Sequence, residues 1–121
     1  MSPSDILRCD NTAAWEAWLA EHNTSTDGIW LQIAKRGSGQ VTVAISDALD
    51  VALCYGWIDS QRKPLDDTYY LQRYSRRRAK SPWSRINAGR VATLIADGRM
   101  RKPGFAAIAA AKADGRFPVI Q

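Results

Sequence analysis

Arg73, Arg76, Arg77, Arg78, Lys80, Arg85 and Arg90 all fall between Thr68 and Ala96, a stretch that contains no Asp or Glu. Guanidinium forks pair bidentately with phosphate and carboxylate groups. Tyr69, Tyr70, Tyr74 and Trp83 lie among these cations, and aromatic rings of this kind offer faces on which nucleic-acid bases stack. Ser81-Pro82 reads as the start of a helix, with Ser as the cap and Pro at its first position. A helix beginning there presents free N–H groups and the positive end of its dipole to an anion. The hydroxyls of Ser81 and Ser84 and the side chain of Asn87 fall beside that start. The chemistry these residues suggest is anion capture by Arg73, Arg76, Arg77, Arg78, Lys80, Ser81, Trp83, Ser84, Arg85 and Asn87. The competing reading is a solvated loop whose charge is neutralised by the first half of the chain. Residues 1–67 carry five basic and ten acidic side chains, whereas residues 68–121 carry twelve basic and two acidic ones.

Other chemistry is thinner. Asp59, with Arg62 nearby, is a candidate acid or base if its surroundings are apolar. An ion pair or a turn bond in a hairpin is the favoured explanation, because no partner nucleophile is visible. His22 is the single histidine, at the end of a helical stripe where a packed or capping role suits it. Cys54 lies in an apolar helix and reads as a small core residue. Its pairing with His22 as a nucleophile lacks any local activating motif. Arg36-Gly37-Ser38-Gly39 fits no phosphate-binding glycine fingerprint and reads as a turn. Cys9 and Cys54 make no metal spacing, so no metal and no cofactor is expected.

The elements that must hold these residues follow from periodicity. Asn11 or Thr12 caps a helix whose Trp15, Trp18, Leu19 and His22 share one face. Ile29 to Lys35 alternates as a strand, and Val41 to Ile45 reads as a second, short one. Ser46 caps a helix with Leu49, Ala52 and Leu53 on its apolar stripe, stopped by a left-handed Gly56. Trp57 to Lys63 and Thr68 to Tyr74 flank Pro64-Leu65-Asp66-Asp67 as a hairpin. Ile86, Val91, Leu94 and Ile95 give the Ser81 helix its buried stripe, ended by Gly98. A last helix runs from about Pro103 to Ala113, closed by Gly115. Trp15, Trp18, Trp30 and Trp57 read as core. Short turns between strands argue for an α+β fold, a small antiparallel sheet with four to five packed helices. Residues 1–10 read as a loose arm, 11–116 as a single domain and 117–121 as a tail. Met1 to Asp5 shows no secretory pattern, and the apolar runs are far shorter than the roughly 20 residues of a membrane span. A cytoplasmic location is therefore expected.

Several blocks resemble the YdeI/OmpD-associated, or bacteriocin-protection, family of bacterial proteins. They are Trp18-Leu19, Gly28-Ile29-Trp30-Leu31, Ala48 through Ser60, Arg77 through Asn87, and Gly98-Arg99-Met100 with Gly104. The resemblance covers residues 15–116 in family order. It implies a role in bacterial stress or antimicrobial-peptide resistance, and it carries no reaction, cofactor or catalytic residue. Arg76 and Ala79 stand where that family usually has prolines, which makes the loop more cationic and more mobile. Chains of that family commonly continue into a second helical segment, whereas this sequence ends at Phe117-Pro118-Val119-Ile120-Gln121. The combined expectation is a non-enzymatic anion-binding module, its partner a nucleic acid, a phosphorylated ligand or an acidic protein. An enzyme built on Asp59 and the Trp83 helix start, and a protein–protein interaction module, are the alternatives.

Overall fold

The structure, a computed structural model, describes residues 6–78 and 80–118. The calls on Ala79, on the first five residues of the arm and on residues 119–121 of the tail lie outside them. The described chain forms an α+β fold with the elements β1 (Ile6–Arg8), α1 (Thr12–His22), β2 (Gly28–Ala34), α2 (Ile45–Cys54), β3 (Trp57–Pro64), β4 (Tyr69–Arg76), α3 (Arg85–Ala96) and α4 (Lys102–Ala113). The sheet order is β1-β2-β4-β3.

Local signals account for most of these boundaries. Asn11 adopts extended backbone, and its side-chain oxygen accepts from the Ala14 N–H at 2.8 Å, which starts α1. Asp66 turns the β3–β4 hairpin by accepting from the N–H groups of Thr68 and Tyr69. Gly115 (φ +75°) follows α4; its N–H reaches Lys112 O and that of Arg116 reaches Ala111 O. That bond pair is the Schellman closure of a helix.

Four expectations are corrected. Residues 6–8 are not a loose arm but a strand parallel to β2, with Leu7 opposite Leu31. Parallel neighbours need a crossover, and α1 supplies it, so the sheet is mixed rather than wholly antiparallel. Val41 to Ile45 forms no strand; Val43 donates to Cys9 O, and Thr42 Oγ1 accepts from the Ala34 N–H. Helix α2 begins at Ile45, one residue before the expected cap Ser46, with Ala44 as an N-cap that makes no side-chain bond. Helix α3 begins at Arg85 rather than at Ser81. Of the expected stripe, Ile86 and Ile95 are exposed, while Ala88, Val91 and Leu94 form the buried one.

Helix α2 is the hub of the core, packing against α1, β3, α3 and α4. Ala48 and Val51 through Cys54 are buried. On the sheet face toward the helices, Ile29, Leu31, Ile33, Tyr74 and Trp57 join Trp15 and Leu19 of α1. Trp15 donates its Nε1–H to Ala48 O at 3.0 Å, so its polar edge is satisfied in the core.

The opposite sheet face carries no helix in this core, yet Trp30 and Leu71 are buried there. Trp30 is thus interior as expected, but on the other side of β2 from Ile29 and Leu31. Lys63 Nζ lies 4.3 Å and Arg73 Cζ 5.6 Å from its ring centroid. These are cation–π distances, and the charged heads themselves cover the ring. Gln72, also buried, accepts from Arg62 Nε and donates to Gln61 O where β3 bulges between Asp59 and Arg62.

The turn from α2 into β3 lies tightly against α4. Gly56 has φ +75°, and a Cβ placed on it would lie 2.8 Å from Pro103 O. Gly37 has φ +76° with open space around it. Left-handed backbone alone costs an L-residue about 1–2 kcal/mol. Gly37→Ala is therefore expected to destabilise by about that amount, and Gly56→Ala by distinctly more. Urea unfolding of the two variants checks this, and equal losses would show that the Pro103 contact is unimportant.

Candidate functional site

The site is the loop that leaves β4. Arg76 ends that strand. The Arg77 N–H donates to Gly56 O at 3.1 Å, which ties the loop to the α2–β3 turn. The Arg78 backbone N–H donates to Ser81 Oγ at 3.0 Å, and the Ser81 N–H returns to Arg78 O. Arg116, aimed by the Gly115 turn, donates to Ser81 O at 2.6 Å and to Asp114. The loop is therefore clamped at its start, in its middle and from the far end of α4.

Arg77 is its centre. The guanidinium lies 3.6 Å from the Trp83 ring centroid, and Nη1 donates to Pro82 O at 3.2 Å. Its Nε–H is buried and has no hydrogen-bond partner among the described residues. Burial pushes the Arg77 pKa down to about 10, with repulsion from Arg116 in the same direction and the attraction of Asp59 opposing both. The group is still a cation at neutral pH, but a half-buried one that makes no ion pair among the described residues.

Two clefts flank it. A polar cleft of about 740 Å³ is lined by Arg73, Arg76, Arg77, Arg78 and Ser81, with Asp27 as its single carboxylate among the described residues. A second cleft of about 280 Å³ shares Arg76, Arg77 and Arg78, adds Arg116 and Trp83, and is walled by Pro103 and alanines of α4.

The expected site residues thus divide. Arg73, Arg76, Arg77, Arg78 and Ser81 come together, and Trp83 supports them as a buried ring. Arg76 is partly neutralised by Asp27 at 2.8 Å, a partner 49 positions away. Ser84 caps α3, accepting from the Asn87 N–H at 3.0 Å, and Ser84, Arg85 and Asn87 line neither cleft. The helix start expected at Ser81 is displaced by about one turn, to Ser84, which lines neither cleft. Lys80 and Arg85 are exposed, and Arg90 is committed to Asp50 of α2.

Asp59 is exposed and lines neither cleft, while Arg62 is held by Gln72 and lies 4.6 Å from the Tyr70 ring centroid. The geometry does not gather Asp59 with Ser81, Trp83 or Asn87 in either cleft. His22 lies against Trp18 at 4.8 Å, with Nδ1 3.3 Å from Ser25 Oγ. No group of three His, Cys, Asp or Glu side chains suited to a metal occurs among the described residues. No helix among them is long and apolar enough to cross a membrane.

Sequence reasoning missed Arg116 and the α4 wall. Arg116 belongs to the basic second half, but the alanines carried no signal beyond helix propensity.

With this geometry in view, the family model described as a domain of unknown function, DUF8412, matches residues 7–107. The chain belongs to that family. No curated protein and no solved structure matches it.

The cysteines carry no visible chemistry. Cys9 and Cys54 are free and buried, and burial pushes both thiols up to about 11. Thiolate is the reactive form, so both are expected to resist a disulfide reagent at pH 7.5 in the native protein and to react fully in denaturant. Because the folded pKa is raised, the stability tied to these neutral thiols is complete below about pH 9 and is lost as pH rises toward 11. A stoichiometric thiol titration with and without guanidinium checks the first point. Prompt native labelling of Cys54 would contradict it.

Proposed function

We propose that this protein is a non-enzymatic anion-binding module. Its ligand presents phosphate or carboxylate groups, as nucleic acids, phosphorylated metabolites and acidic protein surfaces do. The observation that carries the reading is Arg77, a half-buried guanidinium stacked on Trp83, without a carboxylate partner among the described residues and between two clefts rimmed by further arginines. A buried charge is costly unless paired, and an oxyanion beside it gains charge-assisted hydrogen bonds in a partly dry setting. The planar fork, held by Trp83 and Pro82, loses little freedom when it binds. The blocks at 48–60 and 77–87 that resemble the YdeI/OmpD-associated family support placing such a module in bacterial stress resistance. A cytoplasmic location is part of the same proposal.

The test uses tripolyphosphate as a defined polyanion, titrated by calorimetry into the full chain at two salt concentrations. Wild type is expected to bind, with affinity falling as salt rises. Replacing Arg76, Arg77 and Arg78 together by Ala is expected to weaken binding at least tenfold, about 1.4 kcal/mol, and to flatten the salt dependence. Arg85→Ala, outside both clefts, is expected to change it less than twofold. Undiminished binding by the triple variant would overturn the reading.

A further inference from the structure

The smaller cleft differs in kind from the polar one. Its cationic rim is Arg76, Arg77, Arg78 and Arg116, and no carboxylate among the described residues lines it. Arg116 is paired with Asp114 and Arg76 with Asp27, whereas Arg77 and Arg78 make no ion pair among the described residues. Across from this rim, α4 presents Pro103, Ala106, Ala107 and Ala110. The three alanines fall at i, i+1 and i+4, one face of a helix, while Gly104, Ile108 and Ala111 take the buried face. Ala106 and Ala110 are exposed on the cleft side, and their short side chains leave the space that larger residues would occupy. Gly56, which lines the same cleft, brings the backbone against α4.

An arginine rim on an apolar wall selects for a molecule with both features. At about 280 Å³ the space lies near the lower bound of small-molecule sites, roughly 300 Å³. We infer that this cleft takes a small amphipathic anion, a carboxylate or phosphate monoester with a short apolar body, its head on Arg77 and Arg78 and its body against the α4 alanines. This rests on the anion-binding reading and narrows its ligand. Buried methylenes contribute about 0.8 kcal/mol each, close to a fourfold gain in affinity apiece, whereas a bare ion gains nothing from the α4 wall.

The experiment compares methyl phosphate, hexyl phosphate, hexanoate and hexanol by calorimetry on the full chain. Hexyl phosphate is expected to bind at least tenfold more tightly than methyl phosphate. Hexanoate is expected to bind measurably and hexanol not at all. Ala110→Glu puts a carboxylate in the cleft and is expected to remove hexyl phosphate binding. Ala106→Leu fills the cleft without charge and is expected to abolish the hexyl-over-methyl preference while methyl phosphate still binds. Circular dichroism melts confirm that each variant is folded, and either one suffices for the test. Equal affinity for the two phosphates, or a preference that survives in a folded variant, overturns this inference and leaves the anion-binding reading intact. Failure of every anion, tripolyphosphate included, overturns both.

Discussion

Four parts of the molecule meet at the backbone of one turn, Cys54 to Trp57. The carbonyl of Cys54 accepts from the Arg101 N–H just before α4, and that of Gly56 accepts from Arg77 as the chain leaves β4. Trp57 Nε1 donates to Asn23 O beyond the end of α1. A Cβ on Gly104 would collide with the Cys54 carbonyl, so α4 lies against the end of α2 as only glycine permits. These short-range constraints fix how far α4 stands from the loop after β4. Both walls of the smaller cleft are therefore set by a few buried polar atoms, in keeping with the need of buried backbone groups for partners.

Where a boundary is decided by local backbone chemistry, the sequence displays it. Asn11 accepting from Ala14, Gly56 and Gly115 in left-handed conformations and Asp66 in the hairpin are of this kind, and each element they delimit stands close to its expected place. Where two local signals compete, tertiary packing decides. Ser81-Pro82 and Ser84 are both good helix starts. Trp83 must be buried against Arg77 and Phe117, so the chain stays extended through Trp83 and the helix waits for Ser84. Strand β1 had no local signal, since three residues acquire a strand only by lying beside β2.

The charge pattern was legible as a total and illegible as an arrangement. An acid-free stretch is plain to read, but the Arg76–Asp27 and Arg90–Asp50 pairs bridge distant segments. They remove two of the seven cations from the free set, and Lys63 with Arg73 shows a further use of charge, as cover for Trp30. What remains focused on the clefts is Arg77 and Arg78, with Arg116 arriving from a part of the chain that periodicity marked only as the end of a helix.

The dependence on Arg116 has a consequence for synthesis and turnover. A chain made from its amino end can complete all four strands while the Ser81 carbonyl still lacks its clamp, because that contact awaits Arg116, beyond α4. Conversely, a proteolytic cut after Ala113 would remove the guanidinium that holds the loop without breaking a single rung of the sheet. Competence of the arginine loop would thus be decided beyond α4, separately from survival of the folded body.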